Sequence, residues 1–140
     1  MVIQRWQSLL LFIGVILMAI FSVSAYAYFT THDGIDTGIY LSENIGYWIL
    51  NILIAFVLFL SIFAFRNLKV QKLLVLLSIL MMVASAIWGL LYVSGLSKQG
   101  VEVHLTYSWI LLIVSFGLAI ISLILINADQ KLLKSYDRLR

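Results

Sequence analysis

The sequence predicts an all-α polytopic membrane protein: a four-helix transmembrane bundle, up-down-up-down, with both termini cytoplasmic. Three observations carry this expectation. Of 140 residues, 64% are hydrophobic and only 11% charged, with a mean hydropathy of +1.11. Water-soluble domains sit near half apolar and a quarter charged. The charges fall in clusters separated by four long uncharged stretches, and eight of the nine Lys and Arg residues lie in segments that four spans place on one side.

The first uncharged stretch runs from Arg5 to Asp33 and predicts a span at 9–29. A membrane helix needs about 20 apolar residues. Runs such as Leu9-Leu10-Leu11-Phe12-Ile13 do not alternate, which argues against a membrane β-barrel. Arg5, an apolar run and Ala25-Tyr26-Ala27 also resemble a signal peptide with its cleavage site. The run outlasts a signal core of about 7–15 residues, so it reads as a retained span. The first loop, 30–46, is the longest, with turn signals at Gly34 and Gly38. Ile39, Tyr40, Leu41 and Ile45 are expected along the membrane surface.

A second span is expected at 47–65 and a third at 73–93, joined by the short basic segment 66–72 as a tight antiparallel hairpin. The loop 94–106 contains Gly95 and Gly100, and the fourth span is expected at 107–126. The tail 127–140 should continue as a basic amphipathic helix. Leu132, Leu133, Tyr136 and Leu139 recur at helical spacing opposite Lys131, Lys134 and Arg138. The whole chain reads as one domain, 1–140.

Orientation follows from the short loops. Arg5, then Arg66, Lys69 and Lys72, then Lys131, Lys134, Arg138 and Arg140 share one side, and Lys98 alone lies opposite. The positive-inside rule puts the basic side in the cytoplasm. Tyr26, Tyr28, Tyr47, Trp48, Trp88, Tyr92, Tyr107 and Trp109 then mark the outer ends, and Trp6 and Tyr136 the inner side. Such amphipathic rings prefer the headgroup level. The bacterial inner membrane is the expected location.

Composition excludes several classes. The absence of Cys rules out disulfides, iron–sulfur clusters and thiolate zinc sites. The absence of Pro rules out proline-kinked helices. A net charge of +3 gives no reason to expect nucleic acid. The predicted spans carry no ionisable side chain, which argues against proton relays and intramembrane catalysis. We expect no catalytic residue, no cofactor and no metal. His32, Asp33, Asp36, Glu43, Glu102 and His104 share the outer side, but no metal-binding motif matches their spacing, and they read as solvated loop charge.

The polar residues within spans read as packing devices. Ser108, Ser115 and Ser122 are spaced by seven, with Ala119 on nearly the same face. Ser78 and Ser85 are also seven apart, and Ser85 with Gly89 forms a small-x-x-x-small pair. Small residues let helices approach closely in lipid. Asn51, the single amide within a span, suits an interhelical hydrogen bond.

Three cytoplasmic segments carry a family resemblance: Ile3-Gln4-Arg5-Trp6-Gln7, the basic segment Arg66-Asn67-Leu68-Lys69-Val70-Gln71, and the closing Asp129-Gln130-Lys131-Leu132-Leu133-Lys134-Ser135-Tyr136-Asp137-Arg138-Leu139-Arg140. They resemble a Bacteroidota family of small four-span membrane proteins described as a domain of unknown function, the 4293 type. The resemblance implies an inner-membrane location and assigns no activity.

The sequence is therefore expected to be non-enzymatic: an accessory or scaffolding subunit of a larger inner-membrane assembly, for example one for protein translocation or envelope biogenesis. Its partners would be the lipid bilayer and other integral membrane proteins. Ile3, Gln4, Arg5, Arg66, Lys69, Lys131, Lys134, Asp137, Arg138 and Arg140 are the candidate docking residues, and Arg5 is expected to meet Asp129 or Asp137. The alternative is a homo-oligomeric channel or small-solute transporter whose serine faces line a pore between copies.

Overall fold

The computed structural model describes residues 2–30, 36–97 and 103–138. Four helices cross the molecule: α1 (Val2–Val23), α2 (Ile45–Phe63), α3 (Leu68–Ser97) and α4 (Ser108–Arg138). Each contains a stretch long and apolar enough to span a membrane. In hydrocarbon every backbone amide must be satisfied internally, which these sequences achieve as helices. The chain is a multi-pass membrane protein with a mostly helical, four-helix architecture.

Local signals set the helix ends. Asn44 caps α2, its side chain accepting a hydrogen bond from the Tyr47 N–H at 3.2 Å. A 3-10 turn, Ala64–Arg66, then leads to Asn67, whose carbonyl accepts from the Gln71 N–H at 3.0 Å as α3 begins. The expected hairpin between spans two and three is thus built from one turn and one Asn. The tail continues α4 as expected. At 31 residues α4 is about 46 Å long, well beyond a hydrocarbon core of about 30 Å.

The helices form an antiparallel ring in chain order, with α4 closing against α1. That α1–α4 seam is the most extensive contact and α3–α4 the thinnest of the four. The buried residues explain the packing. In α1 they include Gln7, Leu11, Gly14, Met18 and Phe21, and in α2 Tyr47, Asn51, Ile54, Leu58 and Ser61. In α3 they are Leu68, Gln71, Val75, Ser78, Met82, Ser85 and Gly89, and in α4 Leu112, Ser115, Ala119, Ser122, Ile126 and Asp129. All four sets alternate steps of three and four. This 3.5-residue period is that of left-handed supercoiled bundles. Ten of the buried described residues are polar, while the outward faces are almost wholly apolar. The bundle keeps its polar side chains within, among apolar ones, and turns an apolar surface to lipid.

One element departs from the expected layout. A three-stranded antiparallel sheet, ordered β2-β1-β3, caps the end remote from the termini. Its strands are β1 (Ala25–Thr30), β2 (Asp36–Tyr40) and β3 (Val103–Leu105). Tyr28 pairs with Gly38 on one side and His104 on the other. The expected first span at 9–29 is corrected accordingly: the helix starts at Val2 and ends at Val23, and 25–29 belongs to β1. The reason is length. Twenty-two residues make a helix of about 33 Å, already enough to cross, so Ala-Tyr-Ala-Tyr-Phe-Thr is free to follow its β-propensity. A second correction follows. Ile39 and Leu41 are buried under the sheet rather than spread along the membrane surface, whereas Tyr40 and Ile45 remain exposed.

Candidate functional site

The serine face of α4 is applied to α1. Ser108 Oγ donates to the Ala25 carbonyl at 2.8 Å, Ser115 Oγ to Gly14 at 3.1 Å and Ser122 Oγ to Gln7 at 3.3 Å. Ala119 lies buried between the last two. The pattern continues one heptad further: Gln7 Nε2 donates to Asp129 Oδ2 at 2.7 Å, with both residues buried. Asp129 Oδ2 is held by Gln7, and the expected contact of Arg5 with Asp129 or Asp137 lies outside the described residues. Arg5 and Asp137 have side chains outside the described residues.

Asn51 joins α2 to α3. Its Oδ1 accepts from Ser85 Oγ at 2.8 Å, and its Nδ2 donates to the Tyr47 carbonyl at 2.8 Å. Ser78 lies in the same α3 seam and donates to the Val75 carbonyl within its own helix. Replacing Ser108, Ser115 and Ser122 together with Ala is expected to cost about 2 kcal/mol, taking about 0.6 kcal/mol for each interhelical bond in lipid. Unfolding in mixed detergent micelles would measure the loss.

The end bearing the termini holds the candidate docking residues. Arg66, Lys69 and Lys131 are exposed there. Ile3, Gln4, Lys134 and Arg138 lie on α1 or α4, but their side chains are outside the described residues, as is Arg140 altogether. Gln130 Nε2 donates to the Leu68 carbonyl at 3.0 Å, tying α4 to the start of α3. Gln71 stands one turn into α3, 1% exposed, and neither its Nε2 nor its Oε1 has a partner among the described residues.

The opposite end is aromatic. Tyr26 packs edge-on to Tyr47 with ring centroids 5.5 Å apart, and Tyr47 stacks on Trp88 at 6.3 Å. Tyr92 also faces Tyr26. Trp109 Nε1 donates to the Tyr26 carbonyl at 2.9 Å, fixing α4 to β1. Burial pushes the Tyr26 phenol above its usual range, with Tyr92, Tyr47 and Glu43 adding to the shift. Gly89 makes the packing possible. A Cβ there would stand 2.7 Å from Tyr47 Oη and 2.9 Å from Trp109 Cη2. Of the outer loop ligand types, Asp36 lies in β2, Glu43 in the 3-10 turn Leu41–Glu43, and His104 in β3. His32, Asp33 and Glu102 are outside the described residues. Among the described residues no three His, Asp or Glu side chains gather.

A family model described as "Domain of unknown function (DUF4293)" matches residues 3–139. The chain belongs to the DUF4293 family. No curated protein matches its sequence.

In this DUF4293 protein, sequence reasoning missed Gln7, Gln71 and Asp129 as interior residues. The signal was available for two of them. Asp129 lies seven residues beyond Ser122, and Gln71 seven before Ser78. Both stand beside charged residues and so read as loop or tail. The aromatic cap offered the alternation of Ala25-Tyr26-Ala27-Tyr28, hidden inside a long uncharged run.

Proposed function

We propose that this chain is a non-enzymatic accessory or scaffolding subunit of a larger inner-membrane assembly, with both termini in the cytoplasm. The observation that carries the reading is the fate of the polar side chains. Ser85 and Asn51 bond one another, Ser115, Ser122 and Gln7 bond across the α1–α4 seam, and Ser108 bonds α4 to β1. A bundle knitted this way is a packed scaffold, and its outward faces and its basic end are what remain to act. The basic end combines Arg66 and Lys69 on the α2–α3 turn with Lys131 on the projecting α4. Its cationic character supports a cytoplasmic placement, and it suits an acidic surface on a partner. A pore between copies draws less support, because Ser78, Ser85, Ser115 and Ser122 are turned into the chain's own seams.

Affinity purification from native membranes at natural expression level tests the proposal. A stoichiometric membrane-protein partner is expected for the wild type. The triple variant Arg66→Glu, Lys69→Glu, Lys131→Glu is expected to retain the fold and lose that partner. A clean homo-oligomer for the wild type, or full retention of the partner by the variant, would overturn it.

A further inference from the structure

At the sheet end two concavities adjoin. The first, about 440 Å³, is lined by Phe29 of β1, Ile39 of β2, Glu43, and Tyr92 and Leu96 of α3. The second is an open apolar cleft of about 900 Å³ along the membrane-facing side of α3, between Ala84, Ile87, Trp88 and Leu91. Tyr92 borders both. From Ala84 to Leu96 the helix rises about 18 Å, close to the roughly 15 Å of hydrocarbon in one leaflet.

We propose that these two concavities form one binding site for a membrane phospholipid with an ammonium headgroup. The headgroup nitrogen lies between Glu43 and the rings of Phe29 and Tyr92, and one acyl chain lies along the cleft past Trp88. Three features select this occupant. The carboxyl supplies a counter-charge for a cation and repels an anionic headgroup. Two aromatic walls suit a cation, which is attracted to a ring face. The cleft is apolar and opens to lipid, so a soluble amine would leave most of the site unfilled. The site lies at the opposite end from the basic docking surface, so it stands or falls independently of the partner.

The test is lipid retention by the full-length chain. The protein is purified from vesicles of equal phosphatidylethanolamine and phosphatidylglycerol, and bound lipid is counted by native mass spectrometry. We expect one retained phosphatidylethanolamine, enriched about five-fold, the order that one solvent-exposed cation–aromatic contact supplies. Glu43→Gln should abolish the headgroup preference. Ala84→Phe, which fills the cleft from an exposed position, should lower retention of both lipids. Asp36→Asn, which removes a carboxyl of β2, should leave the preference intact. Equal retention of the two lipids by the wild type, or an undiminished preference in Glu43→Gln, would overturn the proposal. Displacement of the lipid by soluble phosphoethanolamine at equal concentration would also overturn it, since the acyl chain would then contribute nothing.

Discussion

Gly89→Ala is expected to destabilise the bundle by about 1–3 kcal/mol, the usual cost of overpacking, and Gly89→Leu by more. A single methyl would stand 2.7 Å from Tyr47 Oη and 2.9 Å from the Trp109 ring. Tyr47 is 1% exposed and packed between the Tyr26 and Trp88 rings, so it has little room to yield. Trp109 is held as firmly. Its Nε1 holds the Tyr26 carbonyl at 2.9 Å, and its ring lies edge-on to Phe21 at 6.5 Å. Moving Trp109 loosens α4 from both β1 and α1. Tryptophan fluorescence followed through detergent unfolding would report the change. A shift below half the lower bound would show that the cap gives way without breaking that bond. Gly95→Ala is the control, because open space surrounds that position.

Gln71→Leu is expected to act in the opposite direction, raising stability by about 1–3 kcal/mol. Its amide is taken out of water with no partner among the described residues for either end. An unmade hydrogen bond leaves a desolvation cost, which an apolar side chain of similar volume removes. Gln7 makes the contrast. Gln7→Leu takes the donor away from a buried carboxyl at Asp129 and is expected to destabilise by a similar amount. Thermal unfolding of the two variants side by side checks the sign. Destabilisation by Gln71→Leu would mean that the amide is satisfied by a group outside the described residues. Stabilisation with loss of the co-purifying partner would mark Gln71 as retained for function at the expense of stability.

The four spans were legible because lipid solvent imposes a blunt rule: about 20 residues without charge. The heptad Ser108, Ser115, Ser122 was legible because small polar residues stand out in an apolar stretch, and the structure places Ser115 and Ser122 on α1 and Ser108 on the start of β1. The start of α1 was not legible. Arg5 marks a boundary for charge but not for helix, and at the other end the uncharged run past Val23 hid the strand, so its residues 25–29 were read as part of the first span. The same confusion hid Asp129. Proximity to Lys131 and Lys134 suggested a solvated tail, while its seven-residue offset from Ser122 marked the interior. The docking residues were identified from the three resemblance-bearing segments on the basic side, which show where a surface lies but not what it meets.

The central position of β1 has a consequence for the order of events during synthesis. β1 leaves the ribosome early and pairs with β2 a few residues later, yet its other edge waits for β3, about 70 residues downstream. At about 5–20 residues per second that interval is several seconds. In those seconds β1 presents an unpaired strand edge, the kind that invites pairing with another chain. Two further helices must be threaded through the bilayer before Val103–Leu105 arrives to cover it. Closure of the sheet is therefore a late checkpoint. A chain truncated before residue 103 keeps three spans and an open strand edge, which quality-control proteases and chaperones can read as unfinished.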